Sequence, residues 1–120
     1  MAHNPGFLKL VNESKSRIKQ TDIEGYKKMN PKPVLIDIRE ESEWAAGHAA
    51  DAIYIGKGVI ERDIETKVPD KSTPMVLYCG GGFRSALAAD NLQKMGYTNV
   101  LSLIGGIRGW REAGYPLVKG

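Results

Sequence analysis

Short apolar runs punctuate the chain at nearly regular intervals. Val34-Leu35-Ile36, Ile53-Tyr54-Ile55, Met75-Val76-Leu77-Tyr78 and Val100-Leu101-Ser102-Leu103 are bounded by turn residues and are mostly continuous rather than alternating in polarity. That pattern predicts strands covered on both faces of a parallel sheet. The stretches between them carry helical periodicity. The clearest runs from Ser85 to Met95, with Ala88, Leu92 and Met95 on one side and Lys94 and Gly96 as stop signals. Upstream, Phe7 to Ile18 reads as an amphipathic helix. Thr21 with Glu24 three residues later predicts a capping box for a second helix ending near Met29, and Asn30-Pro31-Lys32-Pro33 then breaks it. Strands alternating with helices predict an α/β fold, and no internal repeat, low-complexity tract or linker interrupts it.

Length and composition narrow this picture. A chain of 120 residues with 42% hydrophobic and 26% charged residues has the size and balance of one ordinary domain with one core. The first twenty residues lack the apolar stretch of a signal peptide or spanning helix, so the expectation is a cytoplasmic monomer without membrane contact. The net charge of +3 is scattered among acidic residues, and no basic run points to nucleic acid. Two histidines and one cysteine offer no zinc-ligand spacing, so no metal is expected. A single cysteine cannot form an internal disulfide; Cys79 is therefore core filling or chemistry.

Its surroundings favour chemistry. Cys79 follows an apolar run directly and precedes Gly80-Gly81-Gly82-Phe83-Arg84, after which a helix begins near Ser85. A strand-to-helix junction of this kind lies in the crevice outside the carboxyl ends of the strands, where ligands bind open α/β sheets. Three consecutive glycines let the loop curl so that backbone N–H groups turn toward the sulfur, and the helix adds its positive end. Both stabilise a thiolate nucleophile. A dinucleotide fingerprint beginning at Gly80 is excluded at its last position, which Ser85 occupies in place of glycine or alanine.

The stretch Cys79 to Ser85 resembles the active-site loop of bacterial single-domain rhodaneses, in which a cysteine opens a six-residue loop, glycine is frequent fourth and arginine closes it. Two further segments resemble that family, in the family's order. Asp37-Ile38-Arg39-Glu40 with Glu43-Trp44-Ala45-Ala46-Gly47-His48 and Ala52 is similar to its Asp-x-Arg, acidic-aromatic and Gly-His region. Gly105-Gly106-Ile107-Arg108-Gly109-Trp110, with Gly114 and Pro116 beyond, is similar to its C-terminal Gly-Gly, Trp and Gly-x-Pro pattern. The chain departs from the family at Ala49-Ala50-Asp51, where an apolar residue, proline and glycine are more usual.

The resemblance implies a central, mostly parallel sheet of about five strands with helices on both faces. It implies a rhodanese-like domain over residues 21–120, preceded by an N-terminal helical extension over 1–20. It further implies sulfur transfer from thiosulfate or a similar small anionic donor through a persulfide on Cys79 to a thiophilic acceptor such as cyanide, a thiol or a sulfur-carrier protein, with no cofactor. Gly80, Gly81, Gly82, Phe83, Arg84 and Ser85 would bind substrate, with Arg84 on the anionic end of the donor. Asp37 and Arg39 would brace the structure and His48 would support it. Trp110 reads as core, Glu40, Glu41 and Glu43 as residues suited to a helix's positive end, and Glu61 has no assigned role. Phosphatases and arsenate reductases on the same fold are the alternative enzymes, and a non-catalytic binding module is the alternative class. The phosphatase relatives have five residues between cysteine and arginine. Here Cys79 and Arg84 enclose four, a tighter ring suited to one sulfur rather than a phosphate.

Overall fold

The computed structural model describes residues 3–120. Its larger sheet is built from β1 (Lys19–Thr21), β2 (Val34–Asp37), β4 (Ile53–Tyr54), β5 (Met75–Tyr78) and β6 (Val100–Leu103). All five are parallel, in the order β1-β6-β5-β2-β4. A second, two-stranded antiparallel sheet pairs β3 (His48–Ala49) with β7 (Leu117–Val118).

The continuity of the apolar runs has the predicted consequence: successive residues of one strand enter different cores. On one face, Ile36, Met75 and Leu77 pack with Ile60 and Ile64 of α4 (Ile60–Lys67) and Ala88, Ala89 and Leu92 of α5 (Phe83–Lys94). On the other, Leu35, Val76, Tyr78 and Leu103 pack with Ile23 and Tyr26 of α2 (Ile23–Lys28) and Ile107 and Trp110 of α6 (Gly106–Glu112). The result is an α/β domain with helices on both faces of a parallel sheet.

Three local expectations shift. The first helix, α1, spans Pro5–Lys15, because Pro5 suits the first turn and Lys19–Thr21 leaves the helix to pair with β6. The cap of α2 is Asp22 rather than Thr21; its carboxylate accepts the Gly25 N–H at 2.7 Å, while Thr21 lies in β1. α5 begins two residues early, at Phe83.

α1 lies on α5. Val11 is fully buried there, Ser14 donates to Asp90 at 3.2 Å, and Arg17 pairs with the same carboxylate at 2.7 Å. No helix among the described residues is long and apolar enough to cross a membrane.

Candidate active site

Cys79 is the first residue after β5, and α5 starts four positions later, so residues 79–82 must reverse direction within one tight loop. Gly82 enables the reversal with φ +97°, a left-handed conformation disfavoured for residues with a side chain. A Cβ at Gly82 would also stand 3.3 Å from the Leu103 carbonyl oxygen. The curl turns the Gly82 N–H onto Cys79 Sγ at 3.1 Å and the Ser85 N–H onto it at 3.4 Å. Of the N–H groups of residues 80–84, expected to face the sulfur, that of Gly82 makes a hydrogen bond to it, and the second comes from Ser85, just beyond that span. The Cys79 thiol is 2% exposed and points toward Ser85 Oγ at 3.6 Å, and Ser85 is held by Ser102 at 2.7 Å. Two amides and the positive end of a twelve-residue helix therefore converge on one sulfur atom.

The loop is also clamped from the far side of the sheet. The Ile107 N–H donates to the Cys79 carbonyl at 2.8 Å, and the Arg108 N–H to the Gly80 carbonyl at 3.2 Å. This approach explains the Gly-Gly pair that opens α6. Gly106 has φ +52°, and a Cβ there would collide with the Cys79 carbonyl oxygen and stand 2.9 Å from the Gly80 carbonyl carbon.

Above the sulfur is an open cavity of about 290 Å³. Cys79, Gly80, Gly81, Phe83 and Arg84 line it, and so do His3, Phe7 and Arg108. The last three had no signal in local sequence. His3 and Phe7 precede the Cys79 loop by more than seventy residues, and Arg108 reads as an ordinary charge within the Gly-Gly motif. A larger cavity of about 540 Å³, bordered by Arg39, Tyr54 and Val59 among others, does not include Cys79.

Arg84, expected as the cation at the rim, is not free. Its guanidinium donates to both Glu43 oxygens, at 3.0 and 3.2 Å, in a partly exposed pair. The hydrogen bond from Arg84 pulls the Glu43 carboxyl below its ordinary value, and Glu43 raises Arg84. Glu43 also accepts the Glu40 N–H at 2.9 Å, closing the cap of α3 (Glu41–Ala46). Arg108 makes no ion pair or side-chain hydrogen bond among the described residues, so the rim holds a second guanidinium besides Arg84.

Asp37 and Arg39 occupy the side of the sheet away from the sulfur. Arg39 donates to both Asp37 oxygens at 2.8–3.1 Å and to the Gly47 carbonyl at 2.7 Å. The Tyr78 hydroxyl donates to Asp37 at 2.7 Å and accepts the Ala49 N–H at 3.1 Å. Burial, followed by the bond to Asp37, pushes the Tyr78 phenol well above its ordinary value. For Arg39, burial disfavours the charge, but the hydrogen bond and charge of Asp37 outweigh it and raise the guanidinium. His48 stacks on Trp44 with ring centroids 3.3 Å apart, its Nδ1 3.0 Å from the Trp44 carbonyl. None of Asp37, Arg39 and His48 lines the cavity over Cys79. Trp110 is buried and donates to the Pro116 carbonyl at 2.9 Å; Glu61 accepts from Asn91 at 2.8 Å, also outside the cavity. No group of three or more His, Cys, Asp or Glu able to hold a metal ion occurs among the described residues.

A family model described as a rhodanese-like domain matches residues 22–113. A sulfurtransferase from Allochromatium vinosum is 38% identical over 85 residues, 71% of this chain and 78% of that protein. The thiosulfate sulfurtransferase PspE of Escherichia coli is 35% identical, again over 71% of this chain and 78% of its own. Among solved structures, a protein of unknown function from Rhodopseudomonas palustris, described as a possible tyrosine phosphatase, superposes with a TM-score of 0.82 at 29% identity over 98% of both chains.

Proposed function

The chain belongs to the rhodanese-like domain family, and from that premise we propose that it is a sulfurtransferase whose Cys79 carries the sulfur as a persulfide. One observation carries this reading: the Gly82 and Ser85 N–H groups meet at Cys79 Sγ, at the floor of an open cavity. A cradle that converges on one atom suits a thiolate and the negative sulfur added to it, much as an oxyanion hole suits a developing oxygen charge.

In the first half-reaction the Cys79 thiolate attacks the outer sulfur of thiosulfate. The sulfur–sulfur bond of the donor breaks, its electron pair leaves with sulfite, and a Cys79 persulfide anion remains. In the second, an acceptor such as cyanide attacks the terminal sulfur and departs as thiocyanate, which regenerates the thiolate. A thiol or a sulfur-carrier protein would serve in the same way. No step requires a metal or organic cofactor, and ping-pong kinetics are the expected signature. A reducing, cytoplasmic setting would keep the thiol available.

The likeness to the Rhodopseudomonas protein raises a phosphatase alternative. The four-residue span between Cys79 and Arg84 weighs against it, as does an Arg84 already shared with Glu43. Mass spectrometry after thiosulfate treatment tests the proposal directly. One added sulfur on the peptide containing Cys79, discharged by cyanide, is expected. An unmodified Cys79 together with cysteine-dependent hydrolysis of aryl phosphates would replace this reading with the phosphatase one. An unmodified, inert Cys79 would leave a binding module.

A further inference from the structure

Resting on the sulfurtransferase reading, we propose that Ser102 is a positioning residue for the second half-reaction. Through Ser85 it completes a relay of two hydroxyls that receives the negative charge when it returns to Cys79 Sγ.

The relay starts from an exception in the sheet. Ser102 interrupts the otherwise apolar strand β6 and shares a face with Val100, the face packed against α5. It is buried, so its hydroxyl needs a partner, and Ser85 Oγ at 2.7 Å is the one it has among the described residues. Ser85 is itself fully buried in the first turn of α5, and its Oγ lies 3.6 Å from Cys79 Sγ. Sheet register fixes this spacing, since Ser102 stands beside Leu77, two residues before Cys79. Ser102 does not border the cavity, so whatever it does for the sulfur passes through Ser85.

A neutral thiol leaves this relay one acceptor short. The Cys79 S–H donates to Ser85 Oγ, the Ser85 O–H donates to Ser102 Oγ, and the Ser102 hydrogen has no acceptor among the described residues. A thiolate reverses both hydroxyls: Ser102 donates to Ser85, Ser85 donates to the sulfur, and every hydrogen is used. Each bond also polarises the next. The relay therefore makes its fullest set of bonds to a charged Sγ. In the persulfide, Sγ carries neither charge nor hydrogen, because the charge has moved to the terminal sulfur.

The two half-reactions feel this differently. In persulfide formation the relay raises the thiolate fraction but weakens the thiolate as a nucleophile, and the two effects oppose. In discharge, the lone pair of the acceptor attacks the terminal sulfur, the sulfur–sulfur bond of the persulfide breaks, and its electron pair returns to Cys79 Sγ. Here the thiolate is the leaving group, and a better stabilised thiolate leaves faster with nothing to offset the gain. The Gly82 and Ser85 amides that also meet the sulfur are fixed by the backbone, whereas the two hydroxyls turn as the charge arrives.

The test follows each half-reaction of the full chain by stopped flow, loading with thiosulfate and discharging to cyanide. Ser102→Ala should slow discharge about three- to tenfold while formation changes less than about twofold. Ser85→Ala should slow discharge more, and the double variant should be no slower than Ser85→Ala alone, because Ser102 acts through Ser85. Ser102→Thr, which keeps the hydroxyl, should recover most of the loss. Equal losses in formation and discharge, additive losses in the double variant, or a folded Ser102→Thr as slow as Ser102→Ala would overturn the relay and leave sulfur transfer standing. A wild type that forms no Cys79 persulfide would overturn the underlying reading itself.

Discussion

Tyr78 and Cys79 are consecutive, yet their side chains enter opposite kinds of polar environment. Around Tyr78 each group is answered: the hydroxyl by Asp37 and the Ala49 N–H, Asp37 by Arg39, and Arg39 by the Gly47 carbonyl. That set is buried, and only Arg39 of it reaches the edge of a cavity, the larger one that does not include Cys79. Around Cys79 the groups are incompletely matched. Two amides aim at the Cys79 sulfur, and Arg108 borders an open cavity with no partner among the described residues. The dense internal bonding of the first set suits a brace, because removing either partner of a buried ion pair leaves the other charge uncompensated. Surplus donors around Cys79 are what the proposed thiolate and persulfide would use.

The contrast breaks most sharply at Cys79. Cys79→Ser should reduce transfer from thiosulfate to cyanide to background while lowering stability by no more than about 1–2 kcal/mol, measured by a coupled thiocyanate assay and urea unfolding. Residual turnover would mean that the unsaturated side is not the reacting side. The brace should respond in the opposite sense. Asp37→Ala strands a buried Arg39 and removes the Tyr78 acceptor, at an expected cost of about 3–5 kcal/mol in the urea midpoint analysis. A loss below about 1 kcal/mol would show that the pair is not structural.

Gly106→Ala tests the clamp between the two sides. The positive φ alone costs about 1–2 kcal/mol, and the new methyl group must push the Cys79 carbonyl away. Stability and persulfide formation should fall together, and a change in stability alone would uncouple the clamp from the cradle. Arg84→Ala sharpens the picture within the site. Its charge helps thiosulfate approach a thiolate but is shared with Glu43, so persulfide formation should slow about tenfold, close to 1.4 kcal/mol. Discharge to cyanide should change less than threefold; equal losses in both half-reactions would assign Arg84 to shaping the loop.

The smallest effect concerns the tether between the α1 region and α5. Arg17 holds the Asp90 carboxyl below its ordinary value, so the pair adds stability above the unfolded carboxylate value near 3.9, and that stability is lost as pH falls through the lower folded one. Because Arg17 is half exposed, solvent screens the pair and the contribution should be small. The stability difference between wild type and Asp90→Asn should therefore be constant above pH 5 and shrink below pH 4. A difference that persists at pH 2 would assign it to packing rather than charge.

Much of the cradle was legible in the chain itself. A strand ending at Tyr78, three glycines and a helix near Ser85 are neighbours in sequence, and each acts through its own dihedral preferences or periodicity. The faces of β2 and β5 were readable for the same reason, since continuous apolar residues such as Leu35 and Ile36 have to serve two cores. The capping box at Thr21 misled because the adjacent Asp22 competed for the cap and Thr21 was taken by the sheet.

Local sequence therefore set where Cys79 lies, the turn that presents it and the family motifs around it, because these depend on residues within a few positions of one another. Tertiary structure alone decided which charges remain available. Glu43 reaches Arg84 across 41 positions, Tyr78 reaches Asp37 across the same number, and Arg108 and the rings of His3 and Phe7 arrive at the cavity from the two ends of the chain. Local propensity carries no record of such pairings. They follow from how helices and strands pack against one another, and that packing tethers the arginine that closes the loop and leaves Arg108 bordering the cavity.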